Sequence, residues 1–206
     1  MEKPALLVID MQNDFCLPGA PFEVRGALSV VPRIQELIEA FRAHGLPVIF
    51  VIREHRADGS DIEITRRERF LKAGGAFIPG TRGYALVDGL TPRPDEPVVR
   101  KTRWSPFHKT DLESMLRARG VEVVVISGVQ TPNCIRSAAF DANSLDFEVV
   151  VSSDASGASD PDVHRANLID MAGIGVEIAS TQEIARALPD GLGRGLRARR
   201  AVSPAS

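Results

Sequence analysis

The chain is short of cysteine and of large aromatic residues. Its 206 residues hold two Cys, one Trp, one Tyr and nine Phe. Two cysteines, Cys16 and Cys134, build neither a disulfide framework nor a zinc-ligand spacing, so a reducing, cytoplasmic setting is expected. No apolar run is long enough to span a bilayer. The opening stretch, MEKPALLVID, lacks the pattern of a signal peptide, and no membrane partner is expected. The net charge is -2, so no global field draws nucleic acid to the protein. There is no internal repeat. No G-x-G-x-x-G follows the first apolar run, where MQNDF stands instead, which disfavours a dinucleotide-binding dehydrogenase.

What is present is ordinary for a globular domain: 44% hydrophobic and 25% charged residues. Apolar runs at Pro4 to Asp10, Pro47 to Ile52, Pro97 to Lys101, Val121 to Ser127, Phe147 to Val151 and Gly175 to Ala179 predict strands. Between them, helical spacing is expected over Ala27 to His44, Thr110 to Arg119, Pro132 to Leu145, Asp160 to Ala172 and Thr181 to Leu188. Gly45 and Gly120 stand where helices should stop. Buried strands alternating with amphipathic helices predict an α/β fold, a parallel sheet covered on both faces. A single domain over residues 1–188 is expected. The Gly- and Arg-rich stretch 189–206 reads as a solvated, partly disordered tail.

In such sheets ligands bind outside the carboxyl ends of the strands. Three chemically capable residues stand at those ends: Asp10, Lys101, and Cys134 beyond a glycine turn. Each alone has an ordinary reading as a turn cap, a surface lysine or a small core residue. The stretch GVQTPNC (Gly128 to Cys134) weakens that reading for the thiol. With Thr131 as N-cap and Pro132 at the first helical position, Cys134 falls in the first turn of a helix. A helix N-terminus and a nearby ammonium lower a thiol's pKa, a carboxylate takes its proton, and free N–H groups hold an oxyanion.

The segments LLVIDMQNDF (Leu6 to Phe15), VVRKTRWSPF (Val98 to Phe107) and ISGVQTPNCIRSAAFDA (Ile126 to Ala142) resemble, in order and separation, the isochorismatase-like cysteine hydrolases. That superfamily includes nicotinamidases, N-carbamoylsarcosine amidohydrolases, ureidoacrylate hydrolases and biuret hydrolases. The resemblance implies a Rossmann-like three-layer α/β/α sandwich on a six-stranded parallel sheet and a homodimer or homotetramer. It implies a catalytic triad of Asp10, Lys101 and Cys134. It further implies a cis peptide at Val129–Gln130 and an oxyanion hole from the N–H groups of Gln130 and Cys134. The expected activity is hydrolysis of a C–N bond in a small amide or ureide through a thioester on Cys134. The alternatives are another small-molecule bond, such as an ester or the vinyl ether of isochorismate, and a non-catalytic, partner-binding member of the fold. Family enzymes that act on isochorismate generally lack the cysteine, which makes that substrate the poorer choice here.

Nicotinamidases carry an Asp-x-His metal pair after the second strand. Here Ile52-Arg-Glu-His55 stands in its place, so no bound metal and no cofactor are expected. Arg53, His55 and Arg56 are candidates for recognising a carboxylate or carbonyl, or form a solvated basic loop. Phe15, His55, Trp104 and Phe107 are the candidate substrate walls, with loop packing as the alternative for the aromatics. Cys16 reads as a core or near-site thiol.

Overall fold

The computed structural model describes residues 2–192 and 196. Six parallel strands run β1 (Pro4–Ile9), β2 (Val48–Arg53), β3 (Val98–Lys101), β4 (Val123–Val129), β5 (Glu148–Gly157) and β6 (Glu177–Ala179). They lie side by side in the order β3-β2-β1-β4-β5-β6. The helices are α1 (Asn13–Cys16), α2 (Val31–Ala43), α3 (Ile64–Lys72), α4 (Leu112–Ala118), α5 (Arg136–Ser144), α6 (Pro161–Gly173) and α7 (Thr181–Ala187).

Strand alternation decides the layers. In β1, Leu6 and Val8 face a core with α2 and α7, which also takes in Phe70 of α3. Ala5, Leu7 and Ile9 face the opposite core, built with α4, α5 and Met171 of α6. Both faces of the sheet are therefore covered, and the expected three-layer α/β/α sandwich is what forms. The stripe Ile34, Leu37, Ile38 and Phe41 buries one side of α2. Gly45, at φ 63°, ends it: its N–H reaches Arg42 O and that of Leu46 reaches Phe41 O. Gly120 ends α4 in the same way, with Val121 N–H on Leu116 O.

Two expectations change. The packed domain does not stop at Leu188. Leu192 and Leu196 are buried in the α2/α7 core. The rest of the expected tail lies outside the described residues. The helix after β4 also starts differently. Thr131–Ile135 form a π-helical turn before α5, with Ile135 N–H on Gln130 O. Thr131 caps nothing; its hydroxyl pairs with His164 Nδ1 at 2.7 Å, and His164 Nε2 meets Ser153 O at 3.0 Å. The turn is thus tied to α6 and β5.

The switch from β1 outward to β2 on one side and β4 on the other opens a crevice at the strands' carboxyl ends. There β4 presses against β1. Gly128 is paired with Ile9, and a Cβ at Gly128, built at φ +112°, would sit 2.1 Å from Ile9 O. Gly128→Ala should therefore cost at least about 3 kcal/mol. Urea unfolding checks this; a midpoint equal to wild type would show that the two strand ends do not need this approach.

Candidate active site

Asp10 is the first residue past β1. It adopts a left-handed conformation, φ 57°, and is fully buried. Its N–H bonds Val51 O on the neighbouring strand, which fixes the backbone while the side chain turns back over the sheet. Lys101 ends β3, two strands away. Its Nζ donates to Asp10 Oδ2 at 2.7 Å, to Arg103 O at 3.1 Å and to Cys134 Sγ at 3.5 Å. Both partners of the Asp10–Lys101 pair have fully buried side chains. Asp10 Oδ1 receives no hydrogen bond. The Val129–Gln130 peptide is cis, and Cys134 sits in the turn that follows. The three residues proposed from strand-end position thus meet around one sulfur.

A fourth member was visible only as a possible ligand for substrate. Arg53 ends β2 and is fully buried. Its Nη2 lies 3.9 Å from Cys134 Sγ. Its Nη1 donates to Glu63 Oε1 at 2.8 Å and to Thr102 O at 3.4 Å. Gln12, also buried, holds the backbone at this point: Arg53 N–H donates to Gln12 Oε1 at 2.7 Å, and Gln12 Nε2 donates to Arg53 O at 2.9 Å. The sequence signal was an arginine closing an otherwise apolar strand, VIFVIR. Glu63 gave no signal, because nothing in its loop predicts that it reaches β2.

Burial, and then the Asp10 carboxylate, push the Cys134 thiol pKa up; Lys101 and Arg53 pull against them without prevailing. The expected lowered thiol pKa is therefore reversed in the resting site, because desolvation of a fully enclosed sulfur outweighs two nearby cations. Burial also opposes the Arg53 charge, yet Asp10 and Glu63, joined by Cys134 whenever it is a thiolate, outweigh it and hold Arg53 protonated. Cys16 is pushed up to about 12 by burial and by Asp10, the behaviour of an inert core thiol.

The remaining candidates are divided. Phe15 packs on Phe77, ring centroids 4.3 Å apart, within the α2-side core. Phe107 packs toward Phe147 at 6.3 Å on the α4/α5 side. Both side chains are engaged in packing, as ordinary apolar residues would be. Trp104 is 40% exposed and lines a cavity of about 440 Å³ with Glu63, Arg103, Ser105, Arg136 and Ser137. His55 is buried, with Nδ1 3.2 Å from Asp61 Oδ1 and Nε2 3.5 Å from Arg53 Nη1. Arg56 is exposed and meets Asp61 only through its backbone N–H.

These residues do not suit a metal. The guanidinium of Arg53 lies against the one imidazole nitrogen of His55 that Asp61 does not occupy, and a dication there would face a fixed positive charge. Among the described residues no group of three His, Cys, Asp or Glu side chains converges. No helix among them is long and apolar enough to cross a membrane.

Comparison with known proteins agrees with this architecture. The family model of the isochorismatase domain matches residues 4–183. An Arabidopsis thaliana protein named a probable inactive nicotinamidase is 47% identical over 182 residues, covering 87% of this chain and 93% of its own. A ureidoacrylate amidohydrolase from Methylobacterium radiotolerans is 33% identical, covering 79% of this chain and 70% of its own. The crystal structure of an isochorismatase family protein from Desulfovibrio vulgaris is 46% identical, with TM-score 0.87, covering 92% of this chain and 98% of its own.

His55 carries a stability consequence. Burial, then the Arg53 charge, lower its pKa from 6.5 to about 4, against the weaker pull of Asp61 and Glu63. The folded state keeps it neutral while the unfolded chain takes up a proton. Its contribution is complete above the unfolded pKa and is lost as pH falls toward the folded one. Between about pH 7.5 and about pH 5 the loss is up to about 2 kcal/mol. Urea midpoints of His55→Gln should fall less steeply across that window than those of wild type; parallel profiles would contradict a neutral, buried His55.

Proposed function

The chain belongs to the isochorismatase family of hydrolases, and from that premise we propose that it is a cysteine amidohydrolase cleaving a C–N bond of a small amide or ureide. The observation that carries the proposal is the enclosed cluster in which Lys101 reaches both Asp10 and Cys134. Asp10 Oδ1 is left without a hydrogen bond beside it.

The chemistry follows from those positions. The resting sulfur holds its proton. When a substrate carbonyl enters the site, the Cys134 proton passes to Asp10, and Lys101 and Arg53 hold the thiolate. The sulfur attacks the carbonyl carbon. The oxygen takes up negative charge against the N–H groups of Gln130 and Cys134. The C–N bond breaks, Asp10 returns the proton to the departing nitrogen, and an acyl group remains on sulfur. Water then gives a proton to Asp10 and adds to the thioester. The acid leaves and Cys134 recovers its proton. Arg53 enters this scheme as a second fixed cation on the sulfur.

A small-molecule substrate, a homodimeric or homotetrameric assembly and a cytoplasmic setting belong to the same proposal. So does Trp104 as a wall of the substrate's approach. The N-carbamoylsarcosine amidase of Thermoplasma acidophilum, 30% identical with TM-score 0.74, and the ureidoacrylate amidohydrolase act, by their names, on C–N bonds of this class. One observation favours a second reading, a non-catalytic member of the fold: the name of the Arabidopsis relative, which calls it a probable inactive nicotinamidase.

Ammonia release measured over a panel of small amides, ureides and lactams separates the two. On any substrate that is turned over, Cys134→Ala should lower the rate by at least about 1,000-fold while the unfolding midpoint stays near that of wild type. Turnover retained by the variant would overturn the nucleophile. Inactivity on the whole panel, with Cys134 inert to alkylation, would support the non-catalytic reading.

A further inference from the structure

Among the described residues, the buried side-chain polar atoms without a hydrogen-bond partner are Asp10 Oδ1, Arg53 Nε, Glu63 Oε2, Arg66 Nη1 and Ser156 Oγ. Buried polar atoms are nearly always paired, so such a set asks for an explanation. Four of the five belong to one neighbourhood. Arg53 touches Cys134 and Glu63. Glu63 immediately precedes α3, and Arg66 lies three residues further on, in the first turn of that helix. The Arg66 guanidinium stands over two rings, 5.3 Å from the centroid of Phe22 and 6.0 Å from that of Trp104. Trp104 and Glu63 both line the 440 Å³ cavity.

The charges in this neighbourhood do not cancel. Lys101 is paired with Asp10 and Arg53 with Glu63, and the resting thiol is neutral. Among the described residues Arg66 makes no ion pair within 4.0 Å; nor do Arg69 and Arg103, but their guanidinium groups donate to backbone carbonyls, Arg69 to Pro21 O. Arg103 is no substitute, since its Nη1 donates to Asp61 O at 2.5 Å and to Thr102 O at 2.9 Å. Neither is Arg53, whose Nη1 is taken by Glu63. Glu63 already pairs with Arg53 at 2.8 Å and makes no such pair with Arg66, so an added anion is better matched to Arg66. Arg66 senses Arg53, Cys134, Glu63 and Asp10, and burial and Arg53 lower its pKa, as expected of a guanidinium with no counter-ion. Stacked near the Phe22 and Trp104 rings, it has already lost part of the freedom that binding would otherwise cost.

We infer that Arg66 anchors an anionic end of the substrate through its unpaired Nη1, so that the amide or ureide hydrolysed at Cys134 also carries a carboxylate. This rests on Cys134 being the nucleophile, and the experiment separates the two ideas without needing the natural substrate. Iodoacetate and iodoacetamide are nearly the same size and alkylate the same thiolate, but only the first carries a carboxylate. Their rates at Cys134 are read by peptide mass spectrometry, with Cys16 resolved separately. The ratio of the two rates removes any change in thiolate fraction.

In the full-length protein that ratio should exceed the ratio for free cysteine by about tenfold, the size of one charge-assisted hydrogen bond. Arg66→Gln should bring it back toward the free-cysteine value, and Arg66→Lys should keep most of it. Should Arg66→Gln fail to fold, Arg66→Met serves the same comparison. A Cys134 that reacts readily with both reagents at a ratio untouched by Arg66→Gln overturns the anion anchor and leaves the amidohydrolase reading standing. A Cys134 that neither reagent reaches at any pH short of unfolding overturns both.

Discussion

A fully buried ion pair between Asp10 and Lys101, 2.7 Å long, is the constraint around which this molecule is arranged. Taking two charges out of water costs several kcal/mol per ion, recovered only with good geometry and further hydrogen bonds. Lys101 has both, adding Arg103 O and Cys134 Sγ to Asp10. Asp10 does not, because one of its oxygens is left bare. The asymmetry is what makes the carboxylate useful: it is held in place through one oxygen and keeps the other open to a proton. Sheet order explains how two residues 91 positions apart can meet. β2 lies between β3 and β1, and the strand ends are brought over it by the left-handed turn at Asp10 and the Nζ reach of Lys101.

A second cation refines the electrostatics. Arg53 also reaches the sulfur, its backbone held by Gln12 and its guanidinium by Glu63. In sequence, Arg53 and His55 stand where the resemblance to nicotinamidases would imply a metal-binding pair. Here a guanidinium occupies the space beside the imidazole, and Asp61 takes the other ring nitrogen. The positive charge is built into the chain, and polar atoms of Asp10, Glu63 and Arg66 are left unpaired around it.

Much of this was legible in the sequence because strand ends in a parallel sheet are predictable. PALLVID, PVVRK and VEVVVIS each announce a buried strand, so Asp10, Lys101 and the turn to Cys134 fall on one rim before any coordinates are known. Gly128 was legible as a turn residue, though not for its reason, which is the carbonyl of Ile9 and not the turn alone. Side-chain partners across long loops were not legible. Thr131 looked like a cap because of Pro132, yet a π-turn moved the helix start and His164, 33 residues on, claimed the hydroxyl. Phe15 and Phe107 looked like walls because they neighbour the acid and the base. Phe15 is buried in one core, and Phe107, partly buried, packs against the other. Leu192 and Leu196 were hidden among glycines and arginines, a composition that gave no sign of burial.

The central claim is that the resting sulfur is a thiol held protonated by burial and by Asp10, with Lys101 and Arg53 ready to receive the thiolate. Titrating the ultraviolet thiolate band in a Cys16→Ala background tests it directly. The account predicts that the Cys134 band appears only above the ordinary thiol value of about 8.5, and that Asp10→Asn moves it to lower pH because only the two cations then remain. A thiolate band already present at neutral pH, or one driven higher by Asp10→Asn, would contradict it.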